Sequence, residues 1–253
     1  MRLSGGADVM SAAGLGRSFR LLAAFRQEQS RPDLFYRTLA EDSVARVSRH
    51  VQLRGARVLD VGGGPGWFAA AFGRAGADYV VAEYDHQELS SVVGGRAVAA
   101  SGTALPFASS TFDVCFSSNV LEHVAEPWSF LDEQVRVVRT GGTVCCAFTN
   151  WYSPWGGHET SPWHYIGADL AARRYERRHG HPPKNRHGHT LFPVHVSQAL
   201  KWARTRPGVR LVDARPRYYP DWCRPLVDVP GLREVLTWNL SMVLRRESGP
   251  PRR

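Results

Sequence analysis

The segment VLDVGGGPGWF at residues 58–68 constrains the fold of this chain more than any other. An apolar, strand-like run ends at Val61, and Gly62, Gly64 and Gly66 then alternate before a helical pattern begins. Glycine suits such a turn because it adopts positive φ angles and because a side chain would keep a ligand away from the backbone. Open parallel sheets bind ligands at the carboxyl edge of their strands. The segment therefore predicts a nucleotide-type ligand at the end of the first strand.

Short apolar runs alternate with stretches of helical spacing, which is typical of an α/β fold with a parallel, doubly wound sheet. Two helices precede the sheet, from Leu15 to about Gln27 and from Pro32 to about Val51. The predicted strands are Arg57–Val61, Tyr79–Glu83, Ala97–Ser101, Phe112–Ser118, Thr143–Thr149, Val209–Ala214 and Asn239–Leu244. Further helices are expected at Trp67–Ala75, Pro127–Val138, Val194–Ala203 and Leu232–Val235.

Residues 150–192 have a different texture, because aromatic residues are dense there and six of the ten histidines fall in this stretch. Long connections of this kind are usually functional or disordered, and the aromatic content argues against disorder. We therefore predict a cap over the ligand edge, within a single domain that spans the chain. Its parts are the N-terminal helices (1–54), the cofactor-binding core (55–149), the cap insertion (150–192) and the C-terminal part of the sheet (193–253).

The composition limits the classes of partner. The net charge is +9, but only two of the 32 basic residues are lysine, so the arginine excess resembles codon bias as much as a phosphate-binding face. The charge is also spread along the chain, and nucleic acid is not an expected partner. No apolar run is long enough to cross a bilayer. Four cysteines, two of them adjacent, fit a reducing compartment and predict a cytoplasmic protein.

The glycine turn alone leaves the ligand open. Residues 64–69 satisfy G-x-G-x-x-A, the dinucleotide fingerprint, so an NAD(P)-dependent reductase is one alternative and a non-catalytic cofactor-binding regulator is another. Four segments together are more specific: LDVGGGPG at 59–66, VAEYD at 81–85, ALPFASSTFDV at 104–114, and SSNVLEHV at 117–124 leading to RVVRTGGTV at 136–144. Through them the chain resembles the class I S-adenosylmethionine-dependent methyltransferases, particularly those that act on small molecules.

This resemblance covers roughly residues 55–150 and implies a fold, a cofactor and a set of contacts. The fold is a Rossmann-like, seven-stranded methyltransferase sheet that is parallel except for its last strand, and the cofactor is S-adenosyl-L-methionine. Asp60 and the three turn glycines would line the methionine part of the cofactor, and Glu83 would accept hydrogen bonds from both ribose hydroxyls. The remaining implied contacts are Tyr84 on adenine, Ser101, Gly102 and Thr103 near the adenine amino group, and Asn119 facing the methionine and the methyl group.

The cap supplies the candidate acceptor site, for a small-molecule or lipid-like methyl acceptor. Aromatic walls with a few polar groups suit such a ligand, although they also fit a local core under a surface loop. We expect His158 to act as general base, because it follows Gly156 and Gly157 and precedes Glu159, which could orient it. The predicted substrate-contacting residues are Trp151, Tyr152, His164 and Tyr165, with Trp155 beside them.

Two further groups of residues concern metal binding and surface charge. The cap contains two His-x-His pairs, at 179–181 and 187–189, but arginines surround them and no cysteine joins them, so we predict no metal site. His123 in the LEHV segment is expected to pack or cap a helix. The arginines at 173–178 indicate a solvated helix face, which could also meet an anionic substrate or lipid head groups in a peripheral membrane contact.

Overall fold

One seven-stranded sheet organises the protein, in the strand order β3-β2-β1-β4-β5-β7-β6. The computed structural model describes residues 14–27, 30–92 and 96–248. The strands are β1 (Arg57–Val61), β2 (Asp78–Glu83), β3 (Arg96–Ala99), β4 (Phe112–Ser118), β5 (Val138–Thr149), β6 (Val209–Pro216) and β7 (Asn239–Arg246).

The strand directions bring distant segments to one edge. Strands β1 to β5 pair in parallel, while β7 lies antiparallel between β5 and β6. The carboxyl ends of β1 to β6 therefore meet the amino end of β7 at the same edge of the sheet. This arrangement confirms the predicted fold class, including the antiparallel last strand.

Helices cover both faces of the sheet. They are α1 (Leu15–Phe25), α2 (Pro32–Val47), α3 (Ala69–Arg74), α4 (His86–Ser90), α5 (Pro127–Val137), α6 (Ala168–His179), α7 (Val196–Thr205) and α8 (Leu232–Leu236). One apolar core joins α1, α2 and α3 to one face, and a second joins α5 and α7 to the other. Side chains alternate along β1, so Val58 belongs to the first core and Leu59 and Val61 to the second.

The structure differs from the predicted elements in a few places. Strand β5 begins at Val138, directly after α5, and so includes residues before Thr143, where the strand was predicted to begin. In α1 the apolar side chains of Leu15 and Phe19 are 57% and 66% exposed, whereas Arg17 is buried. The guanidinium of Arg17 is stabilised by the Asp42 carboxylate of α2, which only the packing of the two helices supplies. Apolar spacing therefore located this helix but not its buried face.

Two findings concern segments outside the sheet. Helix α6 lies within the cap and carries the arginines at 173–178, where the sequence indicated a helix face without predicting the helix bounds. Within the described ranges, no helix combines the length and the apolar character that a membrane span requires.

Candidate functional site

The glycine turn after β1 has the backbone conformation that the sequence predicted. Gly62, Gly64 and Gly66 have φ angles of +74°, +54° and +83°, which residues with a side chain rarely adopt. A Cβ placed on Gly64 would meet no atom closer than 3.9 Å, so this part of the turn is open on the outside. An exposed backbone at the carboxyl end of a parallel strand fits the binding of a nucleotide-type cofactor.

Glu83, the last residue of β2, ties this turn to the neighbouring strand. Its Oε2 accepts the Gly64 N–H at 2.9 Å, and its Oε1 accepts the N–H groups of Tyr84 and Asp85 at 2.7 and 2.9 Å. A carboxylate offers about four acceptor positions, so backbone donors already fill most of them. A bound ribose would therefore share this carboxylate with the backbone N–H groups that it already accepts. The Tyr84 side chain is 76% exposed beside it.

The Asp60 carboxylate lies beneath the glycine turn, and only 1% of the residue is exposed. It accepts a hydrogen bond from the Tyr79 hydroxyl of β2, and a Cβ on Gly63 would collide with its Oδ2 at 2.7 Å. Burial raises the pKa of Asp60 to about 7, against the lowering effect of the Tyr79 bond. Asp60 therefore has a partner within the fold, and its contact with the methionine part of a cofactor stays a prediction.

The Ser101–Thr103 turn follows β3 at the same edge. The hydroxyls of Ser101 and Thr103 are 2.9 Å apart, within hydrogen-bond distance of each other. A Cβ on Gly102 would lie 2.4 Å from the Phe130 ring, so glycine lets the turn pack on α5. The requirement for glycine at 102 is thus explained by packing, while the predicted contact of this turn with adenine stays a prediction.

Asn119, directly after β4, lies in a polar network that sequence reasoning missed. Its φ angle is +58°, and its Oδ1 accepts an N–H of Asn239 at 2.8 Å and one of Arg217 at 3.4 Å. Arg217 is only 3% exposed, and its guanidinium also donates to the hydroxyls of Ser118 and Ser43, both at 2.8 Å. The position of Arg217 directly after β6 could have indicated this contact, because β6 ends at the same edge of the sheet as β4.

His158 of the cap lies beside His123, in the segment that follows β4. Its ring centroid is 5.0 Å from that of His123, and its Nε2 is buried without a hydrogen-bond partner. Burial lowers the pKa of His158 to about 4. This value is well below the near-neutral pKa that best suits a general base at pH 7. Glu159 does not orient it, because both carboxylate oxygens accept from the Asn185 amide at 3.0 and 3.1 Å.

The four predicted substrate-contacting residues contact one another and His195, which lies just after the cap. The His164 ring is buried, its Nε2 lies 3.1 Å from the Trp151 carbonyl, and Trp151 packs edge-on against it. Tyr165 donates its hydroxyl to the Tyr152 carbonyl at 3.0 Å, and Tyr152 stacks on His195. Tyr152 and Tyr165 are nevertheless 45% and 48% exposed, and a role of these side chains toward a substrate stays a prediction.

Other aromatic side chains connect the cap and the glycine turn with the N-terminal helices. Trp155 of the cap packs against Phe25 of α1, with ring centroids 5.3 Å apart. Trp67, directly after the glycine turn, stacks on Tyr36 of α2 at 5.2 Å with an interplanar angle of 11°. These contacts of α1 and α2 with the cap and the glycine turn were not predicted, because the two helices were expected only to precede the sheet.

Comparison with known proteins identifies the family. A family model described as a methyltransferase domain matches residues 59–146. A protein of Mycolicibacterium vanbaalenii described as an uncharacterized methyltransferase is 50% identical over 245 residues, covering 92% of this chain and 95% of the relative. A relative with the same description from Mycobacteroides abscessus is 48% identical over 248 residues, with 92% and 95% covered.

Solved structures are similar in fold. An S-adenosylmethionine-dependent methyltransferase from Mesorhizobium loti aligns with a TM-score of 0.56 at 17% identity, covering 82% of this chain and 98% of that one. The 4+2 cyclase SpnF aligns with a TM-score of 0.54 at 15% identity, covering 83% and 82%. A cyclase and a methyltransferase on one architecture show that the fold alone does not determine the reaction. The relatives that are about half identical over most of the chain are described as methyltransferases, and the protein therefore belongs to the class I S-adenosylmethionine-dependent methyltransferase family.

Proposed function

We propose that this methyltransferase transfers a methyl group from S-adenosylmethionine to a small-molecule or lipid-like acceptor, bound between the glycine turn and the cap. The observation that carries the proposal is the convergence of the turn, Glu83, Asn119 and the first part of the cap at one edge of the sheet. Family membership favours this function over the nicotinamide-dependent reductase and over the non-catalytic regulator.

The cofactor would lie along the open glycine turn. A Cβ on Gly64 would have open space around it, Glu83 keeps an acceptor position for a ribose hydroxyl, and Asn119 lies at the end of β4 where the methionine part is expected. The cofactor supplies an electrophilic methyl group on a sulfonium sulfur. The protein's contribution is to align the acceptor with that methyl group and to exclude water.

The surroundings of the turn favour an organic acceptor with an apolar body. Phe25, Tyr36, Trp67 and Trp155 contribute aromatic rings beside the turn and the cap. Such walls suit a small ligand that a few polar groups orient. The arginines of α6, at 173–178, are consistent with an anionic head group on a lipid-like acceptor, and Arg174 already covers the Trp163 ring at 4.1 Å.

His158 is the candidate proton acceptor for this reaction. Its buried Nε2 is free of other partners, and its low pKa keeps the ring neutral at pH 7. A base with a pKa of about 4 is a weak one, so it suits an acceptor whose own proton is acidic better than an aliphatic alcohol. A carboxylate acceptor would need no base at all.

Incubation of the protein with S-adenosylmethionine and a metabolite extract tests the proposal. Mass spectrometry should find a compound in the extract that gains the mass of one methylene group only when the protein and S-adenosylmethionine are both present. With that acceptor, His158→Ala should slow turnover by about 10²-fold, the lower end for general-base catalysis, without a change in S-adenosylhomocysteine affinity. His189→Ala, at an exposed histidine of the same segment, is the matched control. Unchanged turnover in His158→Ala would remove His158 from the mechanism.

A further inference from the structure

Three side chains that can bind metal ions meet where β4 ends. Glu122 and His123 belong to the short 3₁₀ helix Leu121–His123, and His158 comes from the cap. One potential ligand atom from each residue lies within 4.8 Å of the other two. The two histidine rings are also in edge-on contact. The cluster therefore joins the sheet edge to the cap through groups of metal-binding chemistry.

The Glu122 carboxylate is buried with one oxygen unsatisfied. Only 1% of the residue is exposed, Oε1 accepts the Thr149 N–H at 2.8 Å, and Oε2 has no hydrogen-bond partner. Arg217 lies in the same region but directs its N–H groups to Ser118 and Ser43. A buried carboxylate oxygen without a partner is costly, so this site is suited to a cation.

Each of the two imidazoles has a nitrogen that can offer a lone pair. The Nδ1 of His123 lies 2.7 Å from the Thr190 carbonyl oxygen, which can only accept, so Nδ1 carries the hydrogen and Nε2 the lone pair. Metal-binding histidines commonly have this kind of carbonyl contact on the second nitrogen. The Nε2 of His158 is buried without a partner. Two of the three groups are thus unsatisfied, and the third is fixed in the tautomer that a metal requires.

We propose that Glu122, His123 and His158 bind one divalent transition-metal ion, with Zn²⁺ as the reference ion. Two imidazoles and a carboxylate form a ligand set that Zn²⁺ accepts, and three protein ligands leave a further position for water or substrate. Neighbouring ligand atoms of a tetrahedral Zn²⁺ are about 3.3 Å apart, so the side chains would close by about 1.5 Å at most on binding.

This site differs from the histidine pairs that the sequence brings to attention. Those pairs, 179–181 and 187–189, lie among arginines, whereas the proposed ligands combine one cap histidine with the LEHV segment. The metal would also occupy the lone pair of His158, so metal binding and proton acceptance are alternative states of this residue. The proposal concerns ion binding and does not depend on the methyl acceptor.

Calorimetric titration of Zn²⁺ into chelator-treated, full-length protein tests the proposal. We expect one equivalent to bind, and Co²⁺ at the same site should give the visible absorption of a low-symmetry, four- or five-coordinate ion. His158→Ala and Glu122→Gln should each weaken Zn²⁺ binding at least 10- to 100-fold, the range for loss of even an outer-shell partner. His189→Ala should bind Zn²⁺ as the wild type does.

Two results would overturn the proposal. One is a wild-type protein that binds neither ion, and the other is a loss of affinity in His189→Ala as large as in His158→Ala, which would indicate adventitious surface histidines. Circular dichroism of each variant establishes that it is folded. Glu122→Gln keeps an oxygen for the Thr149 N–H and should therefore fold. If it does not, His123→Ala is used in its place.

Discussion

Replacement of Glu83 by alanine should weaken both the cofactor site and the fold around it. The side chain accepts three backbone N–H groups, of which that of Gly64 belongs to the glycine turn and those of Tyr84 and Asp85 follow β2. An isolated strand-end carboxylate would face water and contribute little to stability. This carboxylate instead holds two segments of the cofactor edge together, so its removal has two measurable effects.

The expected magnitudes follow from these contacts. A hydrogen bond to a charged group contributes about 1.5–3 kcal/mol, but water can replace the carboxylate at the exposed N–H groups of Tyr84 and Asp85. The Gly64 contact should then dominate, and Glu83→Ala should lower the free energy of unfolding by about 1–3 kcal/mol. Loss of the proposed ribose contact together with a looser turn should weaken cofactor binding by about 10²-fold, or about 3 kcal/mol.

Isothermal titration with S-adenosylhomocysteine and urea unfolding measure the two effects separately. Glu88→Ala is a matched control, since Glu88 lies in α4 with its Oε2 only 3.9 Å from a Cβ built on Gly64. It removes the same charge from the same neighbourhood without loss of a bond to the turn. Equal binding by Glu83→Ala and the wild type, or an equal loss in Glu88→Ala, would refute the reasoning.

Two further predictions concern stability. Burial raises the pKa of Asp60 from 3.8 to about 7, so between these pH values the folded protein keeps a proton that the unfolded chain releases. The free energy of unfolding should therefore fall as pH rises from 4 to 7, by at most about 4 kcal/mol. Asp60→Asn should remove this fall, and urea titrations at several pH values that give parallel curves for both proteins would contradict it. Gly156→Ala should destabilise the protein by about 1–3 kcal/mol in thermal unfolding, because a Cβ there would meet the Trp151 carbonyl. Gly73→Ala, in a helix with open space around the new Cβ, should not do so.

The glycine turn and the strands around it could be predicted because their signals are local. A strand followed by alternating glycines, and an acid at the end of the next strand, are recognisable within a few residues, and the structure gives Gly62, Gly64 and Gly66 the positive φ angles that this pattern requires. Alternation of strands with helical spacing was sufficient for the sheet as well. The strand bounds shifted mainly where β5 continues through Gly141, which has a positive φ angle inside a strand.

The buried charges could not be predicted, because their partners are far away in the chain. Arg17 interrupts an apolar pattern in the sequence, yet in the structure it is 1% exposed and bonded to Asp42 and to the carbonyls of Arg217 and Tyr219. A residue's own neighbours in sequence cannot show that a carboxylate 25 positions away will neutralise it. The expected pairing of His158 with Glu159 failed for the same reason, since Asn185 binds that carboxylate.

The two halves of the site therefore come from different parts of the chain. The glycine turn and Glu83 arise from consecutive βα units, within the stretch that the family model matches. The surroundings of Asn119 depend on β7 lying antiparallel between β5 and β6, which brings Arg217 and Asn239 to it from about 100 and 120 positions away. Arg217 is a buried cation whose bonds at this edge go to uncharged groups. Discrimination among acceptors should therefore depend more on the chain after residue 150 than on the cofactor motifs.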